Sequence, residues 1–378
     1  MMAKLHSTFR LTVTTLTPLH IGTGNTLLRD FDYVTHDGKT WVINEDTLAD
    51  LLADYGDDLA KMAAGRPASE LLRPEDFHAD SPLFRYVLPG EPRSQNPGSV
   101  LQEQIKDPWD RPYIPGSSLK GALRTALFYA GYGGRNLQFR VSDLHNSPKF
   151  AAAPLERRVF VKKLERREEP SNFDLLRALQ ISDSVPDEQK RLQIVNVIVS
   201  KNSQPSGSPI ELEAIPSDVS FEMSLALDGY LLSNQIRREL GYVDDQIGWV
   251  QGLPQAVNSW TQDRLSVESQ ANRSSNWTNT FEQIKPIVDR FVAGQTSSEF
   301  IVQLGWGGGW DSKTLGKRLT DNQTEFSKLV NDRRYKMLRK GKFVAGDVYP
   351  KTRRAIVTRK MQPISLLGWV WVRMEAME

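Results

Sequence analysis

The order of elements predicts an α+β protein of two domains. Three observations carry this. Strands and helices alternate irregularly rather than in strict βαβ units, a hairpin near the N-terminus is followed by a helix, and 378 residues exceed the roughly 250 to 300 at which one hydrophobic core stops growing. Together they favour two ferredoxin-like domains over a doubly wound parallel sheet. The expected split is 1–205, with an insertion around 64–108, and 206–378, with a helical insertion around 230–293.

Each element has its own signal. In FRLTVTTLTPLHIGTG, Phe9, Leu11 and Val13 alternate before Pro18, the pattern of a strand with one buried face, and Gly22 and Gly24 end it. FDYVTHDGKTWVINEDTLADLLADY reads as a strand, an Asp37-Gly38 turn and a second strand through Trp41, Val42 and Ile43. A helix follows with Asp46 as its N-cap and Leu48, Leu51 and Leu52 at helical spacing. The stretch 64–108, rich in Pro, Gly and Ser, reads as an insertion with a short helix or two. PYIPGSSLKGALRTALFYA (112–130) is a broken β-prone run and then a helix from about 118 to 129. FRVSDL (139–144) and LQISDS (179–184) each read as a strand ending at an aspartate. LQIVNVIVS is another strand, and ELEAIPSDVSFEMSLAL gives one or two more, broken at Pro216. Helices fill 230–293. SSEFIVQLGW is a strand, GWGGGWDSK a loop, 314–339 a long basic helix, and LLGWVWVRME the last strand.

Composition narrows the chemistry. Hydrophobic residues at 39% and charged residues at 25% are ordinary for a globular protein, so disorder is not indicated. Without cysteine there are no disulfides, no Cys-ligated zinc and no thiol nucleophile. No run of about 18 apolar residues occurs, which implies a cytoplasmic protein without a membrane span. A net charge of +2 means that any anion site must be local. Between Arg333 and Lys360 the only acidic residue is Asp347, whereas the basic run 156–170 is diluted by glutamates. The C-terminal cluster is therefore the better phosphate-binding candidate, set against a merely solvated surface.

Two glycine-containing stretches suit nucleic acid. Pro115, Gly116, Ser117 and Ser118 open a helix with bare backbone N–H groups, and Lys120 and Arg124 stand at i and i+4 on one face. This fits a phosphate, and it fits equally a strand–turn–helix connection with two solvated cations. The spacing is not that of a Walker A loop, so nucleotide hydrolysis has no support. In LGWGGGWDSK, Trp306 and Trp310 flank Gly307, Gly308 and Gly309, with Lys313 nearby. Either tryptophan would stack a base or belong to the core around a tight glycine turn.

Catalytic signals are sparse. The five histidines, His6, His20, His36, His78 and His145, form no i, i+4 pair and no H-x-H motif. His20, beside Gly22, is the one placed to act on RNA, with packing or positioning as the plainer role. Asp183 in LQISDS would hold a metal or cleave RNA, or else cap a turn. No cofactor or metal is expected.

PYIPGSSLKGALRTAL and TLTPLHIGTG resemble the helix motif and the first strand and loop of the RAMP superfamily of CRISPR-associated RNA-binding proteins. With LQISDS, LGWGGGWDSKT and YPKTRR, the chain is most similar within it to the fifth-subunit family of type III-A (Csm) effector complexes. The resemblance covers both ends and the middle, apart from 64–108 and 230–275. It implies tandem RNA-recognition-type domains and a non-catalytic, single-copy subunit that caps the filament, holds the 3′ part of crRNA and supports its 3′-end maturation. It also implies contact with the backbone RAMP subunit and the small helical subunit, recruitment of host nucleases, and a monomer in isolation. By position it assigns RNA contact to His20, Gly22, Gly24, Gly116, Ser117, Ser118, Lys120, Arg124, Trp306, Gly307, Gly308, Gly309, Trp310, Lys313, Lys351, Arg353 and Arg354. The alternative is a RAMP-type endoribonuclease that processes precursor CRISPR RNA.

Overall fold

β1 (His6–Thr15) lies at the middle of a five-stranded antiparallel sheet because Leu11 and Val13 alternate into the core, fully buried. Its neighbours come from far along the chain, β10 (Ser220–Asp228) on one side and β14 (Trp369–Ala376) on the other. β7 (Leu179–Ile181) extends the sheet beyond β10, and β11 (Glu299–Gln303) beyond β14. The computed structural model describes residues 6–53, 67–161, 169–201, 204–271, 278–295, 297–338 and 341–377.

A second sheet has the order β13 (Pro363–Ser365), β12 (Thr352–Val357), β8 (Gln193–Lys201), β9 (Gln204–Ala214), β6 (Val100–Gln104), β2 (Gly22–Leu28). Only β6 and β9 pair in parallel. A three-stranded sheet joins β3 (Tyr33–His36), β4 (Lys39–Ile43) and β5 (Phe84–Pro89). The fold is therefore α+β, but both large sheets take strands from each side of residue 205. The expected boundary at 205/206 falls inside β9, in the hairpin it forms with β8, and does not separate the sheets.

The helices among the described residues are α1 (Glu45–Ala53), α2 (Gly116–Gly134), α3 (Ala153–Phe160), α4 (Asn234–Leu240), α5 (Asp244–Gln251), α6 (Leu253–Ala271), α7 (Thr278–Arg290), α8 (Lys317–Thr320) and α9 (Gln323–Asn331). α2 buries Leu119, Leu123, Ala126 and Leu127 at helical spacing, and α6 buries Val257 and Trp260; both enter one core with Leu11, Val13, Phe300 and Val302. The opposite face of β11 and β14 carries Ile301 and Trp369 into a second cluster with Phe281, Ile284 and Val288 of α7. Burial on both faces explains the unbroken apolar run WVWV in β14. None of these helices is long and apolar enough to cross a membrane.

Several local expectations shift. The Asp37-Gly38 turn forms, with φ of 49° and 72°. Helix α1 is capped by Asn44 rather than Asp46, because Leu48 N–H reaches the Asn44 carbonyl at 2.9 Å. FRVSDL is not a strand: Phe139 is buried, and Val141 to Asp143 form a single 3-10 turn whose first N–H donates to Glu325 at 2.8 Å. The expected helix over 314–339 breaks into α8 and α9, since the Asn322 side chain accepts from Glu325 N–H and starts a new helix. Residue 339 of that expectation lies outside the described residues. The stretches read as insertions supply sheet and core instead: 64–108 contains β5 and β6, and 230–293 contains α6. Residues 64–66 and 272–277 of them, and 162–168 of the basic run, are outside the description.

Candidate nucleic-acid interface

The mouth of α2 is closed rather than open. Gly116 N–H donates to Asp183 Oδ1 at 2.7 Å, so a carboxylate already occupies the helix's first donor. A Cβ at Gly116 would lie 2.4 Å from the Ile181 carbonyl oxygen, which is why this position excludes any side chain. Asp183 is thus a cap, the plainer of its two expected roles. Ser117 is exposed and Ser118 half-buried. The two cations following them are engaged. Lys120 Nζ donates to the Leu179 carbonyl at 2.7 Å, and burial lowers its pKa. Arg124 pairs with Glu156 at 2.7 Å and Asp174 at 2.9 Å and lies over the Phe160 ring. Burial works against its charge, but the two carboxylates outweigh it and raise its pKa. The expectation of two free cations on one face needs correction for the chain as it stands: they tie α2 to β7, α3 and the 174 turn.

The second glycine stretch folds onto the loop after β1. Trp306 N–H donates to the His20 carbonyl at 2.8 Å, Leu304 N–H to Gly368, and Gly368 N–H to Pro18. Gly305 has φ +70°, and a Cβ there would sit 2.2 Å from the His20 oxygen. Trp306 meets His20 edge-on, and the Arg354 guanidinium lies 4.7 Å from the Trp306 ring centroid. His20 is 3% exposed, and its Nδ1–H donates to the Glu213 carbonyl at 2.7 Å. Burial lowers its pKa, so the imidazole is neutral near pH 7, with Nε2 against Gly22. Behind it, buried Glu213 accepts from Lys106 at 2.6 Å and Tyr86 at 2.8 Å. A ring sealed and tied in this way is a packing residue, which corrects the idea of His20 as a general base. Residues 22–26, including Gly22 and Gly24, are exposed beside it.

Further along, Gly307 packs on Leu367 and Gly308 on Ser312, whereas Gly309 faces open space. Trp310 packs against Phe326 and Tyr349, so its ring has partners already. Lys313 is exposed. Arg124, Phe128, Trp310, Lys313 and Tyr335 line one cavity of about 260 Å³, which places the two glycine stretches on a shared groove. Arg353 does not lie on an open basic loop: it is held by Glu268 at 2.9 Å and Asp311 at 3.3 Å. Lys351 is exposed and pairs with Asp347 at 3.3 Å. No group of three or more His, Asp or Glu among the described residues is placed to hold a metal.

A family model, described as the RAMP superfamily, matches residues 12–310. The chain belongs to the RAMP superfamily. A curated relative from Streptococcus thermophilus, described as CRISPR system Cms protein Csm5, is 26% identical over 321 residues, covering 76% of this chain and 84% of the relative. Among solved structures, a chain of a Csm–crRNA–target RNA ternary complex from a type III-A CRISPR-Cas system matches with TM-score 0.71 and 26% identity. The match covers 97% of this chain and 100% of that one. The crystal structure of T. onnurineus Csm5 matches in fold with TM-score 0.60 and 23% identity, over 95% and 99% of the two chains.

In this RAMP chain the motif residues divide into those engaged inside the chain and those with surface left free. Gly116 is buried, and Lys120 and Arg124, though half-buried like Trp306 and Arg354, are spent on the Leu179 carbonyl, Glu156 and Asp174, while residues 22–26, Ser117 and Lys313 are exposed without such partners in the core. Sequence reasoning missed the acidic partners that fix the cations, Glu156, Asp174, Glu268 and Asp311. It also missed Arg264, whose guanidinium lies between Trp260 and Trp369 and donates to Gln303 at 2.6 Å. The motif LGWGGGWDSK contains Asp311, but its buried partners are dozens of residues away.

Proposed function

We propose that this chain is a non-catalytic crRNA-binding subunit of a type III-A Csm effector complex. It caps the filament beside a backbone RAMP subunit and the small helical subunit and holds the 3′ part of the crRNA, so that a separate host nuclease sets the mature 3′ end. The observation that carries this is the match, over nearly the whole of both chains, to a chain of a Csm–crRNA–target RNA complex. The burial of His20 and the capping role of Asp183 support a subunit without its own cleavage chemistry. RNA contact falls to the exposed residues 22–26 of the edge strand β2, Ser117, the Trp306–Arg354 pair, Lys313 and Lys351, with Gly116, Lys120 and Arg124 holding the scaffold beneath.

Filter binding of single-stranded RNA across a salt series tests the contact surface. Replacing Lys313, Lys351 and Arg354 together with alanine should weaken binding and flatten the log–log salt slope by about 0.7 per lost phosphate contact. An unchanged slope with intact folding would remove these residues from the interface. In the same preparation precursor CRISPR RNA should stay uncut with or without magnesium. Cleavage lost in Asp183→Ala would instead favour the endoribonuclease.

A further inference from the structure

Arg318, in α8, is a cation without an acceptor. Its guanidinium lies 4.8 Å from the Tyr129 ring centroid, and among the described residues it makes no hydrogen bond or ion pair. Nε is fully buried and unpaired. Room for the group comes from Gly133 of α2, where a Cβ would fall 2.5 Å from Nη2. The Nη groups are not sealed in this way and have no acceptor among the described residues, so it is they that can meet an acceptor entering the cavity that Arg318 lines.

The acceptor's chemistry can be read from the cavity that Arg318 lines. It measures about 490 Å³, a volume that suits a small organic ligand, and its wall is mostly polar. Asn136 and Gln138 present side-chain amides with no hydrogen-bond partner among the described residues, and Asp321 presents an exposed carboxylate. A guanidinium suits a phosphate, a carboxylate suits a pair of vicinal hydroxyls, and amides suit the edge of a base. A bare anion would use the first and be repelled by the second.

We propose that this cavity binds a ribonucleoside 5′-monophosphate unit with a free 2′,3′-diol, with phosphate on Arg318, diol on Asp321 and base edge on Asn136 and Gln138. The unit is either a free nucleotide or the terminal residue of an RNA strand. In the second form it deepens the crRNA reading above and rests on it.

The test is calorimetric titration of the full-length chain with AMP, adenosine, inorganic phosphate and 2′,3′-dideoxy-AMP. AMP should bind more tightly than the other three. Arg318→Gln should lower its affinity about tenfold or more, as loss of a charge-assisted contact does. Gly133→Ala keeps Arg318 and displaces its guanidinium, and should give the same loss with an unreduced melting temperature. Asp321→Asn should narrow the gap between AMP and the dideoxy analogue. Failure of AMP to bind the parent chain, or equal binding of AMP and inorganic phosphate, overturns the proposal. RNAs ending in a 3′-hydroxyl or a 3′-phosphate identify the source: a preference for the free diol that disappears in Arg318→Gln assigns the site to a strand end, and AMP binding without that preference assigns it to a free nucleotide. If AMP binds while the parent chain shows no affinity for RNA, the crRNA reading fails and the cavity assignment stands.

Discussion

Removing the Arg353 guanidinium would leave Glu268 and Asp311 together in a buried site without the cation that joins them. Breaking a buried pair from one side typically costs roughly 3–5 kcal/mol, so Arg353→Ala should lower the urea midpoint strongly. Arg354→Ala, which removes a half-exposed guanidinium from the face of Trp306, should cost under about 1 kcal/mol. Equal losses in the two variants would refute this assignment. Adjacent arginines in YPKTRR look alike in sequence, but strand alternation sends them to opposite faces of β12, and the Glu268 that holds one of them lies 85 residues away. Asp311 adds a pH dependence. Burial pushes its carboxyl up to about 7 although Arg353 and Arg264 pull it down and Glu268 adds to the rise. The unfolded chain releases this proton near the ordinary value of 3.8, and the folded chain keeps it until about 7. The resulting stability is therefore complete below about pH 4 and lost as the pH rises through about 7. Asp311→Asn should flatten the urea midpoint between pH 4.5 and 8 relative to the parent, and a slope that persists would assign the effect to another group.

At the scale of elements, the glycine loop was readable and its partner was not. Three glycines between two tryptophans announce a tight turn, but Gly305 and Trp306 at its start close on His20, some 286 residues earlier in the chain. The start of α2 was legible for a similar reason, since Pro115 and Gly116 mark a helix entrance whatever surrounds them. What occupies that entrance was not legible, because Asp183 arrives from the end of β7. The break between α8 and α9 was visible in principle: Asn322 with Glu325 three residues on is an N-cap signal inside a run that reads as one helix. Gly305→Ala tests the loop directly. Its φ of +70° and the His20 oxygen both oppose a methyl group, and the combined strain should cost about 1–3 kcal/mol or more. Because Trp306 is bonded through its N–H to His20, the substitution should also shift tryptophan fluorescence in the folded state. A variant with the parent's melting temperature and spectrum would show that the loop tolerates a side chain there.

For the whole molecule, the decisive fact is that β1 cannot complete its sheet until the last strand exists. β14 pairs with one edge of β1 and β10 with the other, so both edges of β1 are supplied from beyond residue 205. The second sheet is interleaved in the same way, with β12 and β13 joined through β8 and β9 to β6 and β2. Composition and element order gave the α+β class, but local patterns carry no record of which strands pair, and an even division of the chain follows from length alone. Fragments 1–205 and 206–378 should accordingly fail to fold separately. The first would expose two unpaired edges of β1 with Leu11 and Val13 uncovered on one face, a combination that promotes aggregation. The second would keep the β11–β14 pair but leave β10 without the strand that joins it to them. Expressed alone, each should be insoluble or lack a cooperative urea transition, and co-expression should recover a soluble pair that melts as one unit. A monomeric 1–205 fragment with a single sharp transition would mean that its strands close on one another in some other way, and the interleaved order of the sheets would then be wrong.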